Sequence, residues 1–387
     1  MHCDNIDSGI DWERQRARFP IFGSTLYINS CSYGALSNEV EAAFLAYLAD
    51  RHANGSDWDN WVGHNEALRV DYAGLLGVSP AEIAVTPSAS AGINSVASAM
   101  DFSGVRNKVV ITDLEFPTNA QIWYAQEPRG AVVERVTASD GADLIESLSA
   151  AIDETTRIVA VTHVCYRNGE KLDIAAIGKL ARAKGAYFLV DGYQAAGTMA
   201  IELASWGADF YVGGTLKYLL GTAGVGYLYA RHAILDQLQP TVTGWFAQEN
   251  IGEMDHTRHT PAHSARKFEG GTPPVPNIYA ARAGIGILAQ IGLHSIEARI
   301  SGLTARIVEH AEAAGIALAT PADAKCRGAM VALRCRDAGG LVDALSHENI
   351  VTSWRDGNLR LSPHFYNNED DIDMVFAALG RHAHLVS

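Results

Sequence analysis

Between about residues 80 and 230, short apolar runs alternate with helix-length amphipathic segments, and this rhythm limits the fold more than any other feature of the chain. The runs are Lys108 to Thr112, Ala131 to Val136, Ile158 to Thr162, Tyr187 to Val190, Phe210 to Val212 and Gly226 to Ala230. Because they are continuous rather than alternating, both faces of each strand must be covered, which predicts a mainly parallel sheet between helices. Leu144, Leu148 and Ile152, then Ile174, Ile177 and Leu180, keep a helical period between the runs. Upstream, Ser37 is placed to cap a helix carrying Val40, Phe44, Tyr47 and Leu48. Downstream, the spacing predicts one long helix from Ile278 through Val308, strands at Ala329 to Arg334 and Asn358 to Ser362, and a last helix from near Glu369.

The expected fold class is therefore α/β. A large sheet-based domain spans 31–280, a smaller C-terminal α+β domain spans 281–387, and an N-terminal segment, 1–30, packs with the smaller domain. Ligands of such sheets bind at the carboxyl ends of the strands, and the cleft between two domains is the default site.

Charge narrows the partners. Asp and Glu number 44 against 30 Lys and Arg, a formal charge of -14 that would repel nucleic-acid backbones and anionic lipid surfaces. No apolar run approaches the ~18 residues of a membrane span, and the start, MHCDNIDSGIDWERQRARFP, carries charges where a signal peptide is apolar. The five cysteines are odd in number, scattered and without CxxC spacing, as in a reducing cytoplasm.

Three segments carry chemistry. Tyr187-Phe-Leu-Val-Asp191-Gly-Tyr-Gln194 sets a carboxylate directly after a strand; it either caps the next helix or faces a cationic ring nitrogen. In YVGGTLKYLLGTAGVGYLYA, Lys217 sits among Tyr211, Val212, Leu216, Leu219 and Leu220, an apolar setting that lowers an amine's pKa. Gly221, Gly224 and Gly226 precede a strand instead of joining strand to helix, so they are no dinucleotide fingerprint. Ser88, Ala89 and Ser90 open an amphipathic run, where free backbone N–H groups can bind phosphate or simply be capped. A phosphate-binding helix start, a strand-end Asp and a buried Lys, in that order, describe a pyridoxal phosphate site.

With VDGYQAAG, LKYLLG, FEGGTP and RLSPHFYN together, the chain from Arg18 onward resembles the class V aminotransferase group of fold-type I pyridoxal phosphate enzymes. That group includes cysteine desulfurases, kynureninase and isopenicillin epimerase-like proteins. The resemblance implies that Lys217 carries pyridoxal 5'-phosphate as a Schiff base, Asp191 pairs with the ring nitrogen and Gln194 meets the phenolic oxygen. It implies that Phe116 stacks on the ring, that Ala89, Ser90 and Thr215 hold the phosphate, and that His163 lies close by. It also implies a homodimer in which Thr272 reaches the neighbouring active site, and an amino-acid substrate whose carboxylate Arg360 clamps. In this reading the freed Lys217 removes the Cα proton while Asp191 keeps the ring nitrogen protonated.

Departures from the family pattern bear on the reaction. Leu216 stands where many relatives have His, Tyr166 where desulfurases tend to have Asn, and Ala89 where Thr is common. The stretch Val351 to Arg360 holds no cysteine, although a desulfurase needs a mobile thiolate near its arginine. With no dedicated second acid or thiol in view, the expected activity is that of a class V aminotransferase. A pyridoxal phosphate-dependent β-lyase (selenocysteine/cysteine lyase-like or kynureninase-like) or an epimerase comes next, and a cofactor-binding regulator is a non-enzyme alternative that the complete Lys, Asp and Arg set argues against. Trp354, Arg355, Trp245, Tyr33 and His364 either shape the side-chain pocket or pack. His256, His259 and His263, near Glu253 and Asp255, lie in a loop without helical spacing, and a solvated or gating loop is expected there rather than a metal site.

Overall fold

A computed structural model describes residues 9–137 and 143–387; Cys3 and the first eight residues of the N-terminal segment lie outside the described part. The strands in chain order are β1 Leu26–Tyr27, β2 Ile83–Thr86, β3 Lys108–Thr112, β4 Val132–Val136, β5 Thr156–Thr162, β6 Tyr187–Asp191, β7 Phe210–Gly214 and β8 Gly226–Ala230. They are followed by β9 Val331–Arg334, β10 Ile350–Val351, β11 Ser353–Arg355 and β12 Asn358–Leu361. Seven of them form one sheet in the order β2-β8-β7-β6-β5-β3-β4. Only β8 runs against its neighbours, β2 and β7, so the sheet is mainly parallel as the continuous apolar runs require. Each face is sealed by its own apolar cluster. Val159, Val161, Val190 and Tyr211 point one way, and Ile158, Ala160, Leu189 and Val212 the other.

The sequence reading passed over β2, whose four residues are bounded by Pro80 to Glu82 and by Pro87 and are too short to show a period. It also drew one helix where there are two, Val275–Ile291 and Leu293–Ala313. Gly292 divides them at φ 91°, ψ 131°, a backbone conformation that L side chains rarely adopt. A domain boundary after residue 280 would cut the first helix, which packs on the helices Asn38–Asn54 and Trp58–Leu76.

A second sheet, in the order β11-β12-β9, is antiparallel. Its core joins Leu333, Leu359 and Leu361 to Leu303 and Ile307 from one helix and Ile372 and Val375 from the last, Glu369–Arg381. The described N-terminal residues join it too: β1 pairs parallel with β10, Leu26 and Ile28 enter that core, and Arg16 meets Asp371 through two hydrogen bonds of 2.7 and 2.9 Å. Ser37 caps its helix by accepting from the Val40 N–H, yet Leu45 and Leu48 remain 59% and 50% exposed. Among the described residues no helix is long and apolar enough to cross a membrane.

Candidate active site

At the carboxyl ends of the strands, β6 stops on Asp191 and β7 runs out into the loop that carries Lys217. That loop is tight: the Leu220 N–H donates to the Lys217 carbonyl, Gly221 N–H to the Thr215 carbonyl, and Leu220 sits at φ 58°, left-handed for a bulky residue. The stretch between β1 and the first long helix braces it through Gly34, whose N–H donates to the Leu216 carbonyl. A Cβ on Gly34 would lie 2.3 Å from the Lys217 oxygen, so only glycine fits. Lys217 Nζ lies 4.5 Å from the Tyr193 ring centre and 5.7 Å from that of Phe116. Burial brings its pKa down to about 8 against the charges of Cys31 and Asp191, which raise it.

Asp191 is buried, and Oδ1 accepts from the Tyr193 N–H at 3.0 Å. Burial raises its pKa; that amide and the Lys217 charge oppose the rise. Gln194, also buried, donates its amide to the Cys31 carbonyl at 3.2 Å, while its Oε1 has no partner. Behind Asp191, Glu115 accepts from Thr112 Oγ1 (2.6 Å), Asn119 Nδ2 (2.7 Å) and the Thr162 N–H (3.0 Å). Burial, the largest cause, lifts its pKa to about 7, and the Asp191 charge adds to the rise.

The helix Ala89–Ser98 is capped by Ser88, which accepts from the Ala91 N–H. The amides of Ala89 and Ser90 have no acceptor within the helix and stay available to an anion. Ser90 Oγ donates to Thr118 Oγ1 at 3.3 Å, drawing a second helix start, Pro117–Tyr124, alongside. A Cβ on Gly226 would come within 3.3 Å of the Ala89 nitrogen, so glycine lets β8 pass close to this helix start. Phe116 is 44% exposed and meets Tyr166 edge-on at 5.0 Å; it is not a core residue.

Arg360, on β12, is buried, donating to the Tyr166 carbonyl (2.9 Å), Ser32 Oγ (3.1 Å) and Ser353 Oγ (2.9 Å), while Nε lacks a partner. Its positive charge lowers the Lys217 pKa, so the second sheet delivers a cation to the first sheet's lysine.

Other expected residues stand elsewhere or are already engaged. Thr215 is buried, and its hydroxyl donates to the Thr222 (2.8 Å) and Val225 (3.3 Å) carbonyls. His163 meets Trp206 and Tyr211, on the face opposite the one Asp191 takes by strand alternation; burial drives its pKa down to about 3. Thr272 is exposed. His364 is fully buried and bridges Tyr218 and Phe365, so it packs. Among the described residues no three His, Cys, Asp or Glu side chains converge as a metal site; Asp255 pairs with Arg258, and His259 meets Gln248. Sequence reasoning missed Cys31, whose Sγ lies 3.9 Å from Ser353 Oγ and whose charge acts on Lys217. The two are 186 positions apart, and no local pattern could have joined them.

The family pattern described as aminotransferase class-V matches residues 37–375. The chain belongs to the class-V aminotransferase family. It is 33% identical over 360 residues to an "Uncharacterized aminotransferase YcbU" of Bacillus subtilis, covering 93% of this chain and 95% of that one. A kynureninase of Pseudomonas fluorescens is 26% identical over 368 residues, covering 92% and 88%. Among solved structures, an apo cysteine desulfurase from Thermococcus onnurineus NA1 shares the fold with a TM-score of 0.85 at 22% identity, covering 96% of this chain and 97% of that one. The class-V aminotransferase is thus an enzyme of α/β architecture.

Proposed function

We propose that this class-V aminotransferase binds pyridoxal 5'-phosphate through Lys217 and transfers the amino group of an amino acid. One observation carries the reading: an amine with its pKa lowered to about 8 stands among a strand-end carboxylate, Asp191, and a buried guanidinium, Arg360. The residues fit that cofactor. The partnerless Gln194 Oε1 marks a polar position left for a ligand, the open amides of Ala89 and Ser90 suit a phosphate, and the exposed Phe116 ring offers a face to an aromatic ring. Bound there, the cofactor supplies a sink for the electron pair left on Cα when its proton departs.

The chain's own groups do the rest. Arg360 binds the substrate carboxylate in a partly desolvated setting, where a bidentate guanidinium pair is strongest. Lys217, as the neutral amine, takes the Cα proton. Asp191 holds a proton at the ring nitrogen, since a carboxylate beside a base favours its charged form. A β-lyase is the second reading, and Cys31 beside Lys217 and Ser353 is the observation that favours it.

We extend the proposal to three further matters. The chain acts as a homodimer with Thr272 at the neighbour's site. Its two sheets belong to separate domains that meet at Arg360. It resides in a cytoplasm, consistent with the four described cysteines being free thiols.

The test mixes cofactor-loaded enzyme with a panel of amino acids and follows pyridoxamine formation alongside released sulfide, pyruvate and alanine. Pyridoxamine without release supports transamination; release that Cys31→Ser abolishes supports the second reading. Lys217→Ala should lose the borohydride-reducible adduct, and an undiminished adduct in that variant would sink the assignment of the lysine.

A further inference from the structure

A cavity of about 570 Å³ opens at the amino ends of the parallel strands, the end of the sheet opposite Asp191 and Lys217. Its wall brings together Arg106, Arg157, Arg182 and Arg231, with Asp209 as the only carboxylate. The arginines come from four separate places: the turn before β3, the second position of β5, the last turn of the helix Ile174–Ala183, and the residue after β8. β8 is antiparallel, so its far end meets the near ends of its neighbours. Asp209 is spent: it accepts from Arg231 at 2.8 and 2.6 Å and from the Phe188 N–H at 2.9 Å. Arg106, Arg157 and Arg182 have no ion pair among the described residues, in a chain whose acids outnumber its Lys and Arg 44 to 30.

The guanidinium groups are placed rather than loose. Arg106 donates to the carbonyls of Thr156 (2.9 Å) and Lys184 (2.7 Å), and its buried Nε has no partner. Arg157 donates from Nε to the Arg106 carbonyl at 2.9 Å, which leaves its two terminal nitrogens without a hydrogen bond among the described residues. Arg182 abuts Gly207 through one terminal nitrogen, which any Cβ there would approach to 1.4 Å. Gathering like charges costs energy, which a ligand of opposite charge would recover. The Tyr187 ring and Ile234 add an apolar wall, and the volume is that of a small-molecule site.

We infer that this cavity is a second ligand site, separate from the Lys217 site, for a small polyanion bearing phosphate or carboxylate groups held by Arg106, Arg157 and Arg182. The length of the parallel strands separates the two sites, the four steps of β6 from Tyr187 to Asp191 spanning roughly 13 Å.

Calorimetric titration of cofactor-loaded enzyme, at constant ionic strength, with pyrophosphate and separately with citrate tests the assignment. Loading keeps the phosphate groups of the Lys217 site occupied. Saturable binding of one pyrophosphate or citrate per chain is expected, and the tighter of the two assigns phosphate or carboxylate chemistry. Arg157→Gln and Arg182→Gln should each weaken it about tenfold, the loss expected for one charge-assisted hydrogen bond, while Lys325→Gln, outside the cavity, should not. The melting temperature of the unmodified enzyme should also rise with the tighter anion more than with sodium chloride of equal ionic strength, a readout that needs no variant. No saturable binding of either anion, or binding that neither arginine variant weakens, overturns the site.

Discussion

Lys217, the proposed base, has its pKa lowered because it is kept from water. With its pKa at about 8, about a tenth of the free amine is neutral at pH 7, against well under a hundredth for an ordinary lysine. The neutral form takes the proton, so turnover should rise as pH climbs from 7 through 8 and level off above 9; a profile of kcat flat over that range would show that another group is the base. Glu115 behaves in the opposite sense, with burial raising its pKa to about 7 while three donors face it. Glu115→Gln should cost about 1–3 kcal/mol, because an amide places an N–H group where only acceptors fit; an unchanged urea midpoint would mean that the network is not satisfied as drawn. At this scale the sequence anticipated placement where chemistry and strand ends coincide: Asp191 closes β6, and Lys217 lies desolvated in the loop after β7. At His163, one residue past its strand, alternation turns the ring to the face opposite Asp191, against Trp206 and Tyr211. Arg360 was found through the family resemblance, while Cys31 depended on a contact that no sequence window spans.

Elements were legible in proportion to their length and periodicity. Strands β3 to β8 follow from apolar runs that admit no other covering, whereas β2 is too short to announce itself and took its place by pairing with β8. The helix expected from Ile278 through Val308 failed for a different reason: the apolar period continues across Gly292, but the backbone does not. No atom lies within 4 Å of a Cβ built there, so space is not the constraint. Gly292→Ala should therefore destabilise the protein by roughly 1–2 kcal/mol through the backbone alone. Calorimetric melting would reveal it, and a neutral or stabilising result would imply that the two helices can run on as one.

At the scale of the whole molecule, apolar surface around one helix is left uncovered among the described residues. The helix Asn38–Asn54 buries Val40 but leaves Leu45 and Leu48 more than half or half exposed, with Leu36 56% exposed just before it and Trp58 43% exposed just after. Of the core-facing stripe its sequence promised, Val40 is buried and Phe44 and Tyr47 are half-buried, Tyr47 against Tyr279, but Leu48 and the neighbouring Leu45 stay uncovered among the described residues. The helix packs against Val275–Ile291, whose N-terminal turn comes directly after Thr272, so the uncovered face and the residue proposed to cross between subunits belong to one region. The proposed homodimer would cover Leu45 and Leu48, which lie three positions apart on one helix face. Leu45→Glu with Leu48→Glu places two charges in that contact without touching the interior, so the variant should keep its circular dichroism, sediment as a monomer and lose most of its turnover. Retention of a dimer would move the interface elsewhere, and a fully active monomer would show that each chain completes its own site without Thr272 of the other.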